Sequence, residues 1–110
     1  MFSTALKKGS AELLILSLLE DEPLHGYELA RRIEQRSAGK LRFRVSSLYP
    51  ILCRLDERGW VKGRWVERDG ERRRKYYRLT EKGVSALARE RRTWREYQTA
   101  VNLVVEPTHA

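Results

Sequence analysis

Residues 46–79 leave a chain of this kind few folds. "SSLYPILCRLDERGW" puts Leu48, Ile51, Leu52 and Leu55 on one helical face. Gly59 stands where a left-handed residue closes a helix. Two strand-like runs follow, "WVKGRWVER" and "ERRRKYYRLT", separated by Asp69-Gly70. That dipeptide suits a two-residue type I′ hairpin turn, which needs positive φ at both central positions. A one-faced helix running straight into a hairpin, in a chain of 110 residues, must share one small core with its flanking segments. Ser47 is the expected N-cap of the helix. Pro50 then falls at the third helical position, where its missing donor costs nothing.

The flanking segments supply helices. Ser10 through Leu19 is nearly all apolar, with Ala11, Leu14, Ile15, Leu18 and Leu19 at helical spacing. A helix apolar over most of its circumference needs cover on several sides, which in a small domain points to a partner subunit. Asp21-Glu22-Pro23 ends it. "HGYELARRIEQRS" reads as a second helix with Leu29, Ala30 and Ile33 inward, and "KLRFRV" as one brief strand. Thr80 is the expected cap of a last helix running to about Val105, with Pro107 barring continuation. Leu87, Trp94 and Val101 recur every seven residues, with Tyr97 and Val104 beside them, a heptad-like stripe suited to dimerisation.

Charge narrows the function. The formal net charge is +8 and the sequence pI about 10.1, a balance that favours an acidic partner, nucleic acid above all. The basic residues concentrate at Arg72, Arg73, Arg74, Lys75 and Arg78. On the second strand Tyr77 and Leu79 share one face, while Arg72, Arg74, Tyr76 and Arg78 share the other. The strand's far end should therefore pack, and its near end should stay bare and positive. The single cysteine, Cys53, permits no intrachain disulfide, fits a reducing cytosol, and is expected as a buried thiol in an apolar-periodic stretch. The N-terminus shows no cleavable signal, and the run Leu13 to Leu19 is too short to span a membrane, so a cytoplasmic protein is expected. His25 and His109 are too isolated for a metal site. No carboxylate pair, Cys-His set or glycine-rich phosphate loop suggests catalysis or a cofactor.

Helix, helix, helix, β-hairpin, long helix, with a basic hairpin after the third helix, is the order of a winged helix-turn-helix. The expected fold is mainly α with a small β-hairpin: a DNA-binding domain over 1–80, a dimerisation helix over 81–105 and a flexible tail over 106–110. Ser46, Ser47 and Tyr49 put hydroxyls and a ring at the helix end that approaches DNA, and the arginine run suits phosphate.

"HGYEL" (25–29), "SSLYPILCRLDERGWV" (46–61) and "GERRRKYYRLTEKG" (70–83), in this order and spacing, resemble the PadR family of transcriptional regulators. The single helix after the wing is similar to the short subclass, which includes regulators of multidrug-resistance operons. The resemblance implies a homodimeric repressor that binds a pseudo-palindromic operator in double-stranded DNA. It implies DNA contacts from His25 and Tyr27, from Ser46, Ser47 and Tyr49, and from Arg72, Arg73, Arg74 and Lys75. The first and last helices would form the dimer, with Leu14, Leu18, Leu87, Trp94, Tyr97, Val101 and Val104 at the contact. Trp94 reads either as interface core or, with its symmetry mate, as the border of a pocket for a planar aromatic effector. A second function is open to the same residues: a winged-helix module that binds a protein and uses its charge for solubility. RNA binding is a weaker third, because no aromatic-studded sheet is present for stacked bases.

Overall fold

The computed structural model describes residues 4–106, with side chains from residue 9 onward. The order is α1 (Thr4–Leu19), β1 (Leu24–His25), α2 (Gly26–Arg36), α3 (Val45–Glu57), β2 (Val61–Val66), β3 (Arg74–Leu79) and α4 (Glu81–Val105). The three strands form one antiparallel sheet in the order β1-β3-β2. The core joins Ala11, Ile15, Leu16, Leu18 and Leu19 of α1 to Leu29 and Ile33 of α2 and to Leu48, Ile51, Leu52 and Leu55 of α3. Leu24, Val61, Tyr77 and Leu87 complete it. The apolar circumference of α1 is used within the chain, because α2, α3, α4 and β3 all pack against it.

Several expectations change. Residues 41–44 form no strand; Leu41 and Phe43 reach the core edge singly, and the Leu41 N–H donates to Ser37 Oγ instead of to a strand neighbour. The third strand lies earlier, where Pro23 leads into Leu24, paired with Tyr77, and His25, paired with Tyr76. Ser47 is not the N-cap of α3. The cap is Arg44, which makes no side-chain cap bond, and the Ser47 N–H donates to the Arg44 carbonyl in a tight first turn. Pro50 is therefore inside the helix, where it denies the Ser46 carbonyl its partner four residues on. Both residues are exposed, so water can take that bond. Cys53 is exposed, not buried, because one residue past Leu52 turns the helix about 100° away from the core face.

The end of α3 is as read. Gly59 has φ +78°, its N–H donates to the Asp56 carbonyl, and the Trp60 N–H donates to the Leu55 carbonyl. That pair of bonds is a Schellman closure. The hairpin is wider than a two-residue turn. Its last pair is Val66 with Arg74, so residues 67–73 form the loop. Within it the Glu71 N–H donates to the Arg68 carbonyl, and only Gly70 of the central pair has positive φ. A type II turn has that pattern.

Thr80 caps α4 as expected: Oγ1 accepts from the Gly83 N–H and donates to the Gly59 carbonyl at 2.6 Å. This cap ties the start of α4 to the end of α3. Gly83 is buried there, and a Cβ on it would lie 1.9 Å from the Trp60 carbonyl oxygen. The last turns of α4 leave the body, with Trp94, Tyr97, Leu103, Val104 and Val105 exposed. The residues of the expected tail beyond Glu106, His109 among them, lie outside the described residues. No helix among the described residues is long and apolar enough to cross a membrane.

A candidate nucleic-acid interface

The starts of α2 and α3 are drawn together by a missing side chain. A Cβ on Gly26 would lie 3.2 Å from both the Tyr49 ring and Val45, so glycine lets the first turn of α2 sit on α3 without pushing those side chains aside. Tyr27 and Tyr49 consequently stand on one face, 53% and 42% exposed. β1 places His25 against the hairpin, its ring edge-on to Tyr76 with centroids 5.1 Å apart. The His25 Nδ1 accepts from the Glu28 N–H at 3.3 Å, capping α2. That bond requires an unprotonated Nδ1 and leaves the ring proton on Nε2. Burial, with Arg74 next and Arg68 adding to it, holds the His25 pKa below its ordinary value, against an opposing pull from Glu28.

These residues line a cleft of about 430 Å³ with Trp65, Arg72, Arg73, Arg74, Lys75 and Tyr77. Of the residues expected to touch DNA, His25, Tyr27, Tyr49, Arg72, Arg73, Arg74 and Lys75 are thus brought together. Ser46 and Ser47 are exposed on the first turn of α3 but do not line the cleft; Ser47 borders a separate groove with Arg31, Arg44 and Arg54. Trp65 and Tyr77 were not anticipated there. The available signal was a tryptophan on the strand facing a basic run.

Several cations of the body meet carboxylates: Arg31 and Arg32 with Glu28, Arg36 with Asp21, Arg42 with Glu34, Arg58 with Glu12, and Arg91 with Glu20. Among the described residues no carboxylate pairs with Arg68, Arg72, Arg73, Arg74 or Lys75. Four of them, Arg68, Arg73, Arg74 and Lys75, lie over rings instead. Arg74 is 5.1 Å from the Tyr27 centroid, Arg73 4.8 Å from Trp65, and Arg68 5.5 Å from Tyr76. A ring offers attraction without neutralising the charge, so the face stays positive. Tyr77, buried beneath it, has its phenol pKa raised by that burial, with Cys53, Asp56 and Tyr49 adding to it.

The residues expected at a dimer contact divide. Leu18 and Leu87 are closed inside the chain's own core, which removes them from an outer surface. Leu14 and Val101 are half-buried, and Trp94, Tyr97 and Val104 are exposed. The Trp94 and Tyr97 rings lie 6.4 Å apart on α4.

Two helices joined by a short connection, with their starts sharing one cleft with a β-hairpin, define a winged helix-turn-helix. The chain belongs to the PadR-like family of transcriptional regulators, whose sequence model matches residues 15–89. It is similar to a transcriptional regulator from Clostridium thermocellum, at 27% identity and TM-score 0.83, over 93% of this chain and 96% of that one. A PadR family regulator from Eggerthella lenta matches at 29% identity and TM-score 0.81, over 94% and 88%. Bacillus subtilis PadR, solved in complex with operator DNA, matches at 26% identity and TM-score 0.63, over 70% of this chain and 44% of that one.

Proposed function

We propose that this chain is a dimeric, sequence-specific DNA-binding repressor, released from a pseudo-palindromic operator by a planar aromatic effector. The observation that carries the reading is the convergence of His25, Tyr27 and Tyr49 with four wing cations that no carboxylate neutralises. The operator complex of Bacillus subtilis PadR supports it by likeness of fold. The start of α3 enters the major groove, where Ser46 and Ser47 offer hydroxyls to base edges or phosphates and Tyr49 a ring. The wing lies on the adjacent backbone, and Arg72 to Lys75 displace counterions from phosphates. Two such faces meet successive grooves if α1 and α4 pair across a two-fold axis through Leu14, Trp94, Tyr97, Val101 and Val104. An effector between paired Trp94 rings would change the spacing of the two faces.

The test is duplex binding over a range of salt concentrations, using fragments selected from genomic DNA and a mixed-sequence control. Replacing Arg72, Arg73, Arg74 and Lys75 together with Ala should weaken binding to every sequence. It should flatten the slope of log affinity against log salt by up to about 3 to 4 units. An unchanged slope, or wild-type binding indifferent to salt, would instead favour a module that binds protein.

A further inference from the structure

The wing cations have a support that the interface itself does not explain. Gly63 and Trp65 share one face of β2 and pair with Tyr77 and Lys75 of β3. Gly63 leaves a trough in that face, and the Lys75 stem lies in it: a Cβ on Gly63 would stand 2.4 Å from Lys75 Cε. The Lys75 ammonium ends 5.9 Å from the Trp65 ring centroid and 5.6 Å from that of Tyr77. Arg73 lies over the same indole at 4.8 Å. Trp65 is 55% exposed, so its ring serves these two cations more than it serves the core.

We infer that Gly63 and Trp65 are positioning residues of the wing, which hold Arg73 and Lys75 in the orientation that meets DNA phosphates. The inference rests on the DNA-binding reading above. A free arginine or lysine loses rotamer freedom when a phosphate fixes it. A cation already laid along a ring or trough has lost part of that freedom beforehand, so binding is tighter with the same number of charges. An exposed ring–cation contact corresponds to about two- to fivefold in an equilibrium constant. With two cations on one indole, the combined effect is about tenfold.

The experiment compares wild type, Trp65→Leu, Trp65→Phe and Gly63→Ala in the full chain, on a mixed-sequence duplex across salt. Proton NMR of the free proteins follows the ring-current shifts of the Arg73 and Lys75 side-chain methylenes. Trp65→Leu should weaken binding about tenfold. Its salt slope should match wild type, because every charge remains, and its thermal midpoint should move little. The upfield shift of the Arg73 methylenes should vanish, and that of Lys75, which also lies by Tyr77, should shrink. Trp65→Phe should recover most of the affinity. Gly63→Ala should displace Lys75, press slightly on the Tyr77 ring whose Cε1 would stand 3.1 Å from the new Cβ, and keep the Arg73 shift. A Trp65→Leu variant that binds like wild type overturns the inference, as does a Trp65→Phe variant as weak as Trp65→Leu. A Trp65→Leu loss of affinity that tracks a large fall in thermal midpoint would make Trp65 merely structural and also overturn it. Failure of the wild type to bind any duplex would sink the DNA-binding reading, and this inference with it.

Discussion

Gly83→Ala should unlock the joint between α3, β2 and α4. Alanine normally improves a helix by up to about 1 kcal/mol over glycine. Here the added Cβ would lie 1.9 Å from the Trp60 carbonyl oxygen, 2.9 Å from its carbon and 3.2 Å from Leu79 Cδ2. The first of these is roughly 1.5 Å inside ordinary contact, and a backbone carbonyl cannot rotate away as a flexible side chain can. α4 must back off. Doing so stretches the Thr80 N–H bond to Trp60 at 3.1 Å and the Thr80 Oγ1 bond to Gly59 at 2.6 Å, and disturbs the cap on Gly83. Two hydrogen bonds and a cap are together worth about 3 kcal/mol. Overpacking strain adds about 1–3 kcal/mol. After alanine's helix preference is credited, the expected loss is about 3–5 kcal/mol, a fall in thermal midpoint of at least about 12 °C. Gly9→Ala is the control: it is also helical, has nothing within 4 Å of its added Cβ, and should hold or raise the midpoint. Melts followed by circular dichroism at one fixed protein concentration read both variants. A Gly83→Ala midpoint at or above wild type would refute the packing argument.

The His25 imidazole should titrate below pH 6.5, seen in its ring proton shifts, because its folded pKa is lowered. Its contribution to stability is therefore full above the unfolded value and lost as pH falls from there through the lower folded value, where Nδ1 takes a proton and releases the Glu28 N–H; a midpoint above 6.5 would contradict the cap. The Glu28 carboxyl is held down from 4.5 to about 2, first by its hydrogen bond from Arg31 and then by Arg32, against some desolvation. Its stabilisation should be whole above about pH 4.5 and fade toward pH 2, so the gap in chemical-denaturation midpoint between wild type and Glu28→Gln should narrow over that window. A constant gap would show that the Arg31 and Arg32 contacts do not persist in solution. Cys53 should react with a thiol reagent in native buffer as fast as in denaturant, since it is exposed; strong native protection would show that another surface covers α3.

What the sequence determined by itself was local. The Leu48, Ile51, Leu52 and Leu55 face, the closure at Gly59 and the Thr80 cap depend on residues a turn or so apart, and those relations are written in spacing. The helix order and the basic hairpin then allowed few arrangements, and the resemblance to the PadR family grouped His25, Tyr27, Ser46, Ser47, Tyr49 and Arg72 to Lys75 before any contact was known, of which all but the two serines line one cleft. The start of α3 was misread because Ser47 offers a good cap, and nothing local says that the helix already begins at Val45. Tertiary packing decided the rest. A two-residue strand such as β1 has no period to read and exists only because β3 lies beside it. The width of the wing loop follows from the Val66–Arg74 register, which the Tyr77 and Val61 side chains fix by burial rather than the Asp69-Gly70 turn by its own preference. Leu87 fits a dimer stripe by spacing and Leu18 an all-round apolar helix, yet α1 and α4 turn both into the same core. Which cations remain free was equally out of reach. Arg58 and Arg91 find Glu12 and Glu20, distant in the chain, only after the helices pack, and that distribution leaves the wing's charge unneutralised.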